Sequence, residues 1–154
     1  MANKDLANNL KMTQVLDPAT TSATVNTTGL DLNGANGAMI NVLIGESGDT
    51  LSGSVYWDLI LQDSADNSSW SAVTSNTDVS FADVDSSGIY ATIDAASEDD
   101  ASYPIGYNGA KRYVRVAITK TGTHTNGTPI GAVGITMPIH KPVSGSDNGT
   151  ATGA

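Results

Sequence analysis

The sequence predicts an all-β single domain, an antiparallel β-sandwich or jelly-roll-like barrel with an N-terminal arm and a flexible C-terminal tail. Three observations predict it. Apolar residues alternate with polar ones at period two in several runs of 6–11 residues, and no stretch shows a sustained helical stripe. Turn chemistry (Gly, Asn, Asp and Ser clusters) separates those runs at short intervals. More than half of the 154 residues are Ser, Thr, Gly, Ala or Asn, whereas Leu, Ile, Val and Phe make up about a fifth, so the core must be concentrated in the strands.

Residues 1–18 read as an arm or short helix, with Leu6, Leu10 and Met12 at helical spacing over Lys4–Leu16. The β-domain follows over residues 19–142. Gly53–Asp63 turns Val55, Trp57, Leu59 and Leu61 to one face and Tyr56, Asp58, Ile60 and Gln62 to the other. Ala110–Thr121 turns Val114, Val116 and Ile118 inward and Lys111, Tyr113 and Arg115 outward. Ala38–Ile44 and Thr128–Met137 are more continuously apolar and suit central strands. Shorter strands are predicted at Thr20–Asn26, Ser69–Thr74, Val79–Val84 and Gly88–Asp94. Asn126-Gly127 signals a hairpin between two strong strands. Residues 143–154 carry no large apolar side chain after Val143 and cannot offset their ordering cost of ~1–2 kcal/mol per residue, so they are predicted to be a flexible tail.

Charge narrows the function classes. Sixteen acids against seven bases give −9, and no Lys or Arg occurs between Met12 and Ala110. Such a chain repels DNA phosphates and anionic lipid, so neither nucleic acid nor membrane is an expected partner. Most of the bases (Lys111, Arg112, Arg115, Lys120 and Lys141) lie after residue 110, which suggests an acidic body presenting one basic strand. There is no cysteine. The first ten residues have no continuous apolar h-region, so export is not expected.

Catalysis is not expected. The histidines, His124 and His140, read as surface loop residues and stand near no nucleophile motif, and no cofactor is implied. Asp83, Asp85, Ser87 and Asp94 fall at positions 1, 3, 5 and 12 of a calcium loop with Gly88 at 6. Position 12 lacks the bidentate Glu and the flanks alternate like strands, which favours a Ser-Ser-Gly turn. The aromatic residues, Trp70 above all, would suit a sugar-stacking platform, whereas Trp57 belongs to a core face.

Two segments carry a resemblance. Leu61-Gln62-Asp63-Ser64-Ala65-Asp66-Asn67-Ser68-Ser69-Trp70 resembles a strand and polar loop of small structural proteins of tailed bacteriophages. Gly106-Tyr107-Asn108-Gly109-Ala110-Lys111-Arg112-Tyr113-Val114-Arg115-Val116, followed by Thr121–Pro129, is similar to the same proteins, encoded in phage head modules. The likeness covers roughly Ser54–Pro142. It implies a virion protein of the capsid decoration (cement) type, made in the host cytoplasm. Such proteins sit as homotrimers on the outer capsid surface and clamp neighbouring major capsid subunits. Contact residues would then come from an arm that orders on binding (Lys4, Leu6, Leu10 and Lys11) and from the exposed face of Lys111, Tyr113 and Arg115. A head–tail joining or tail protein and a non-catalytic carbohydrate-binding sandwich are the alternatives.

Overall fold

The computed structural model describes residues 6–139. Lys4, His140, Lys141 and the predicted tail over 143–154 lie outside the described residues. The chain forms β1 (Lys11–Thr21), β2 (Val25–Asn26), β3 (Leu30–Asp31), β4 (Ala35–Ile44), β5 (Tyr56–Ser64), β6 (Ser71–Ala72), β7 (Val79–Ser80), β8 (Ile89–Ile93), β9 (Ala101–Tyr107), β10 (Tyr113–Thr121) and β11 (Thr128–Pro138). All pairings are antiparallel, and two separate sheets pack as a sandwich rather than closing into a barrel.

The first sheet runs β1-β11-β4-β9-β7. The second is built on the β5–β10 pair, registered from Tyr113↔Ser64 to Thr121↔Tyr56. Its margins are made of fragments. β2 and β3 pair with successive parts of β10, and β6 and β8 with successive parts of β5. In the first sheet β7 pairs through two residues only, and β1 is broken by register shifts between Gln14 and Leu16 and between Leu16 and Ala19.

Part of the predicted arm is therefore wrong: residues 11–18 belong to β1, on the edge of β11. Thr13 and Val15 alternate onto the sheet, Val15 is buried, and pairing with β11 satisfies a backbone that a short, weakly apolar helix would leave half exposed. A second departure is β9, which sequence periodicity did not mark. Pro104 removes a donor from the middle of Ala101–Tyr107, yet β9 pairs with β7 only at Gly106 and Tyr107, so opposite Asn41 the outer side of β9 asks for no N–H.

The core follows the predicted alternation. Trp57, Leu59 and Leu61 of β5 and Val116 and Ile118 of β10 are fully buried, facing Ile40, Val42, Ile105 and Ile130 of the first sheet. Burying each such side chain is worth about 1.5–3 kcal/mol. Trp57 also brings a polar demand. Its indole N–H donates to Thr128 Oγ1 at 3.1 Å, and that hydroxyl shares a 2.9 Å hydrogen bond with Ser47 Oγ. His124 lies against the indole with ring centroids 4.3 Å apart. It is 4 % exposed, which corrects its reading as a surface residue. Its Nε2 lies 3.1 Å from the Thr121 carbonyl and 3.3 Å from that of Tyr56, so Nε2 carries the proton and donates.

The Thr128 hydroxyl links the two sheets through Trp57. Replacing it in Thr128→Val keeps the volume but strands the indole N–H in the core. Urea unfolding is expected to show a loss of about 1–3 kcal/mol, with Thr128→Ser losing much less.

Candidate functional site

The two outer faces of the sandwich differ in chemistry. In the first sheet, residues paired across strands share a face. One row runs Met12, Ile135, Met39, Gly106, Ser80, the next Gln14, Val133, Asn41, Pro104, and a third Gly131, Leu43, Ser102. No charged residue occurs in β4, β7, β9 or β11. Met12, Leu43 and Met137 stay exposed there, at 46, 45 and 38 %. With strands about 4.8 Å apart and a rise of about 3.3 Å per residue, the four-strand face projects roughly 500 Å². A partner in a specific interface contributes about 800 Å², so this patch is large enough to form the centre of one. Asn41 sits in the middle row. Its Oδ1 is screened from water and has no hydrogen-bond partner among the described residues, which leaves one unanswered polar group in an apolar field.

The second sheet presents the opposite surface. Asp58 accepts from Thr92 Oγ1 at 2.6 Å, and Arg115 Nε donates to Gln62 Oε1 at 2.8 Å. Trp70 lies beneath the Arg115 guanidinium, 4.3 Å from its ring centroid. That cation covers one face of the indole, so the stacking platform a sugar would need is already occupied on that side.

The predicted contact residues divide between these regions and the end of the sandwich. Lys4 lies outside the described residues. Leu6 is exposed, Leu10 is half-buried, and Lys11 is exposed where β1 begins opposite Thr136. Lys111 precedes β10 instead of sharing a strand face with Tyr113 and Arg115, because the strand begins only at Tyr113. Lys111 Nζ pairs with Asp63 at 2.7 Å, and Arg112 grips Asp31 through two bonds of 2.9 and 2.7 Å while its guanidinium also lies over Tyr113. Asp63 in addition accepts from the Tyr107 hydroxyl, whose pKa burial pushes up. Tyr107, Lys111 and Arg112 border an open cleft of about 500 Å³ at the Leu32–Ala38 end. The predicted basic strand is thus not a free positive patch: Lys111 and Arg112 are neutralised by acids and Arg115 is engaged by Gln62 and Trp70.

The calcium spacing resolves into a turn. Asp85 Oδ1 accepts from the backbone N–H groups of Ser87 and Ile89, and Gly88 takes φ +81°. Asp94 starts a different turn, where its own N–H donates to Glu98 Oε2. Among the described residues no three acidic or imidazole groups converge to hold a metal.

Two further carboxylates, Asp49 and Asp66, organise loops. Asp49 accepts from the N–H groups of Thr125, Asn126 and Gly127, where Gly127 takes the φ of +78° that only glycine adopts freely. Asp66 accepts from Ser68 and Ser69 N–H and from Ser64 Oγ. The backbone bond from Asn126 holds the Asp49 carboxyl below the usual range, those from Ser69 and Ser68 hold Asp66 well below it, and the Arg112 bond lowers Asp31.

Sequence reasoning missed the apolar outer face and the buried His124. The face had a signal, since Ala38–Ile44 and Thr128–Met137 are apolar on both sides, but that pattern reads equally well as a strand covered twice. No protein-family model matches the chain, and no curated protein matches it.

Because Asp31, Asp49 and Asp66 have lowered folded-state pKa values, their contribution is complete above the unfolded value near 4 and is lost as pH falls through the lower folded values. Thermal melts of the native chain are expected to be level from neutrality to about pH 5 and to drop steadily below pH 4. In Asp49→Ala the melting temperature is expected to be lower at neutral pH and its acid-side decline shallower. An acid-side slope identical to the native one would overturn the role of Asp49.

Proposed function

We propose that this chain is a structural virion protein that decorates the outer surface of a tailed-phage capsid and stabilises it by bridging major capsid subunits. The observation that carries the reading is the two-faced sandwich. One outer sheet face carries no charged residue over β4, β7, β9 and β11, with Asp17 of β1 bonded to Gln14 at its edge, while the rest of the domain is acidic and rich in Ser, Thr and Asn. A protein seated on a lattice must surrender water on one side and hold it on the other. The resemblance of the Leu61–Trp70 and Gly106–Pro129 segments to head-module proteins supports the same role.

In mechanism, the outer face of the first sheet docks on capsid protein and excludes water around Asn41. Removal of apolar surface supplies the driving force, and electrostatics supplies discrimination: an acidic domain meets another protein at low cost only through its neutral face. A homotrimer on a lattice three-fold would multiply a modest contact per subunit by avidity. The polar second sheet then faces solvent. Arg115 over Trp70 weakens the carbohydrate-binding alternative by occupying one ring face.

Mixing the protein with expanded empty capsids tests the reading. The expected result is saturable binding with a copy number that scales with lattice three-fold sites. Leu43→Asp combined with Met137→Asp should weaken binding more than tenfold while leaving the melting temperature within a few degrees, since both side chains are exposed. Absence of binding, or copy numbers of six or twelve per particle, would overturn decoration.

A further inference from the structure

Phe81 is the sole phenylalanine of the chain, and it is 78 % exposed. Its φ is +77°, a left-handed conformation that is uncommon for any non-glycine residue and an outlier for a bulky one. Gly or Asn would hold this turn with less strain and without exposing a ring to water.

The backbone here is pinned rather than loose. Val79 and Val84, on either side of the turn, are buried in the core. Asn76 Oδ1 accepts from Val84 N–H at 2.6 Å, Asp78 O accepts from Asn108 N–H at 2.8 Å, and Val79 O accepts from Asn108 Nδ2 at 3.2 Å. Ser80 packs against Gly106, where a Cβ would come within 2.1 Å of the serine Oγ and force that hydroxyl to turn away. A strained residue persists when its surroundings over-determine it, and a side chain carried on a fixed backbone has only its own rotamer freedom to lose on docking.

Place and charge indicate what it docks into. Ser80 ends the row of the first sheet that contains Ile135 and Met39, so Phe81 follows directly on the margin of the uncharged face. Asp78, Asp83 and Asp85 flank it in sequence. We infer that Phe81 is the anchor of that docking face, inserting into an apolar pocket rimmed by basic residues on the protein the face covers; that this protein is a capsid subunit rests on the decoration reading. The flanking acids repel anionic lipid headgroups, which disfavours a membrane as the occupant.

Native protein, Phe81→Gly and Phe81→Leu are to be titrated onto expanded empty capsids, with thermal melts run in parallel. Phe81→Gly should lose at least tenfold in affinity while melting at the same or a higher temperature, because glycine accepts the positive φ. Phe81→Leu should recover part of the affinity, and rising salt should weaken native binding. Tight native binding that Phe81→Gly leaves unchanged would overturn the anchor while sparing decoration. A lowered melting temperature for Phe81→Gly would also overturn it, by making Phe81 part of the fold. If the native protein does not bind capsids at all, the decoration reading fails, and the partner assigned to Phe81 fails with it.

Discussion

The fold depends on satisfying one hydrogen-bond donor in the interior. With a single phenylalanine elsewhere on the surface, Trp57 is the largest side chain between the sheets, and it is fully buried. A buried indole needs an acceptor, and the Thr128 hydroxyl supplies it from the opposite sheet. That pairing fixes where β5 lies over β11. Ser47 and His124 then close around the same spot, and Asp49 gathers the backbone of residues 125–127 beside them. One end of the sandwich is thereby built around a polar cluster inside an apolar core. The other end is held by Asp63, which joins Tyr107 and Lys111, and by the Asp31–Arg112 pair. The latter is solvent-exposed and worth only ~0–1 kcal/mol.

Much of this architecture was legible in the amino-acid order. Period-two alternation placed Trp57, Leu59, Leu61, Val114, Val116 and Ile118 on inner faces, but the predicted strand Thr20–Asn26 is split between β1 and β2 of different sheets, and the predicted strand Val79–Val84 pairs only at Val79–Ser80. Local pattern could not reveal what depends on a distant partner. β1 is a strand because β11 offers it an edge, not because Lys11–Thr21 alternates cleanly. β9 escaped notice because Pro104 is tolerated only where its neighbour is absent. His124 reads as a loop residue until Trp57, sixty-seven positions earlier, provides a ring to lie against.

The candidate site was less legible than the fold, for an electrostatic reason. A sequence shows Lys111, Arg112 and Arg115 as a cluster of like charges after a long stretch without any. It does not show that Asp63 and Asp31 return from far along the chain to meet two of them. Once those charges are paired, the domain's distinctive surface is the one whose central strands carry no charge. Apolar residues on both sides of a strand signify either double burial or a face awaiting cover, and only the sheet order distinguishes these. Here β4 and β11 are central within their sheet yet covered on one side alone by the described residues.

The fragmented margins of both sheets carry a separate consequence. An unbroken edge strand offers its free N–H and C=O groups to any passing copy, which is how domains join into ribbons and fibrils. In this chain β2 with β3 and β6 with β8 interrupt the margins of the second sheet, β7 is two residues long, and β1 is bent by two register shifts and Pro18. The molecule can therefore be crowded to high local density without its sheets templating one another, and attraction between copies is left to side-chain surfaces whose chemistry single substitutions can tune.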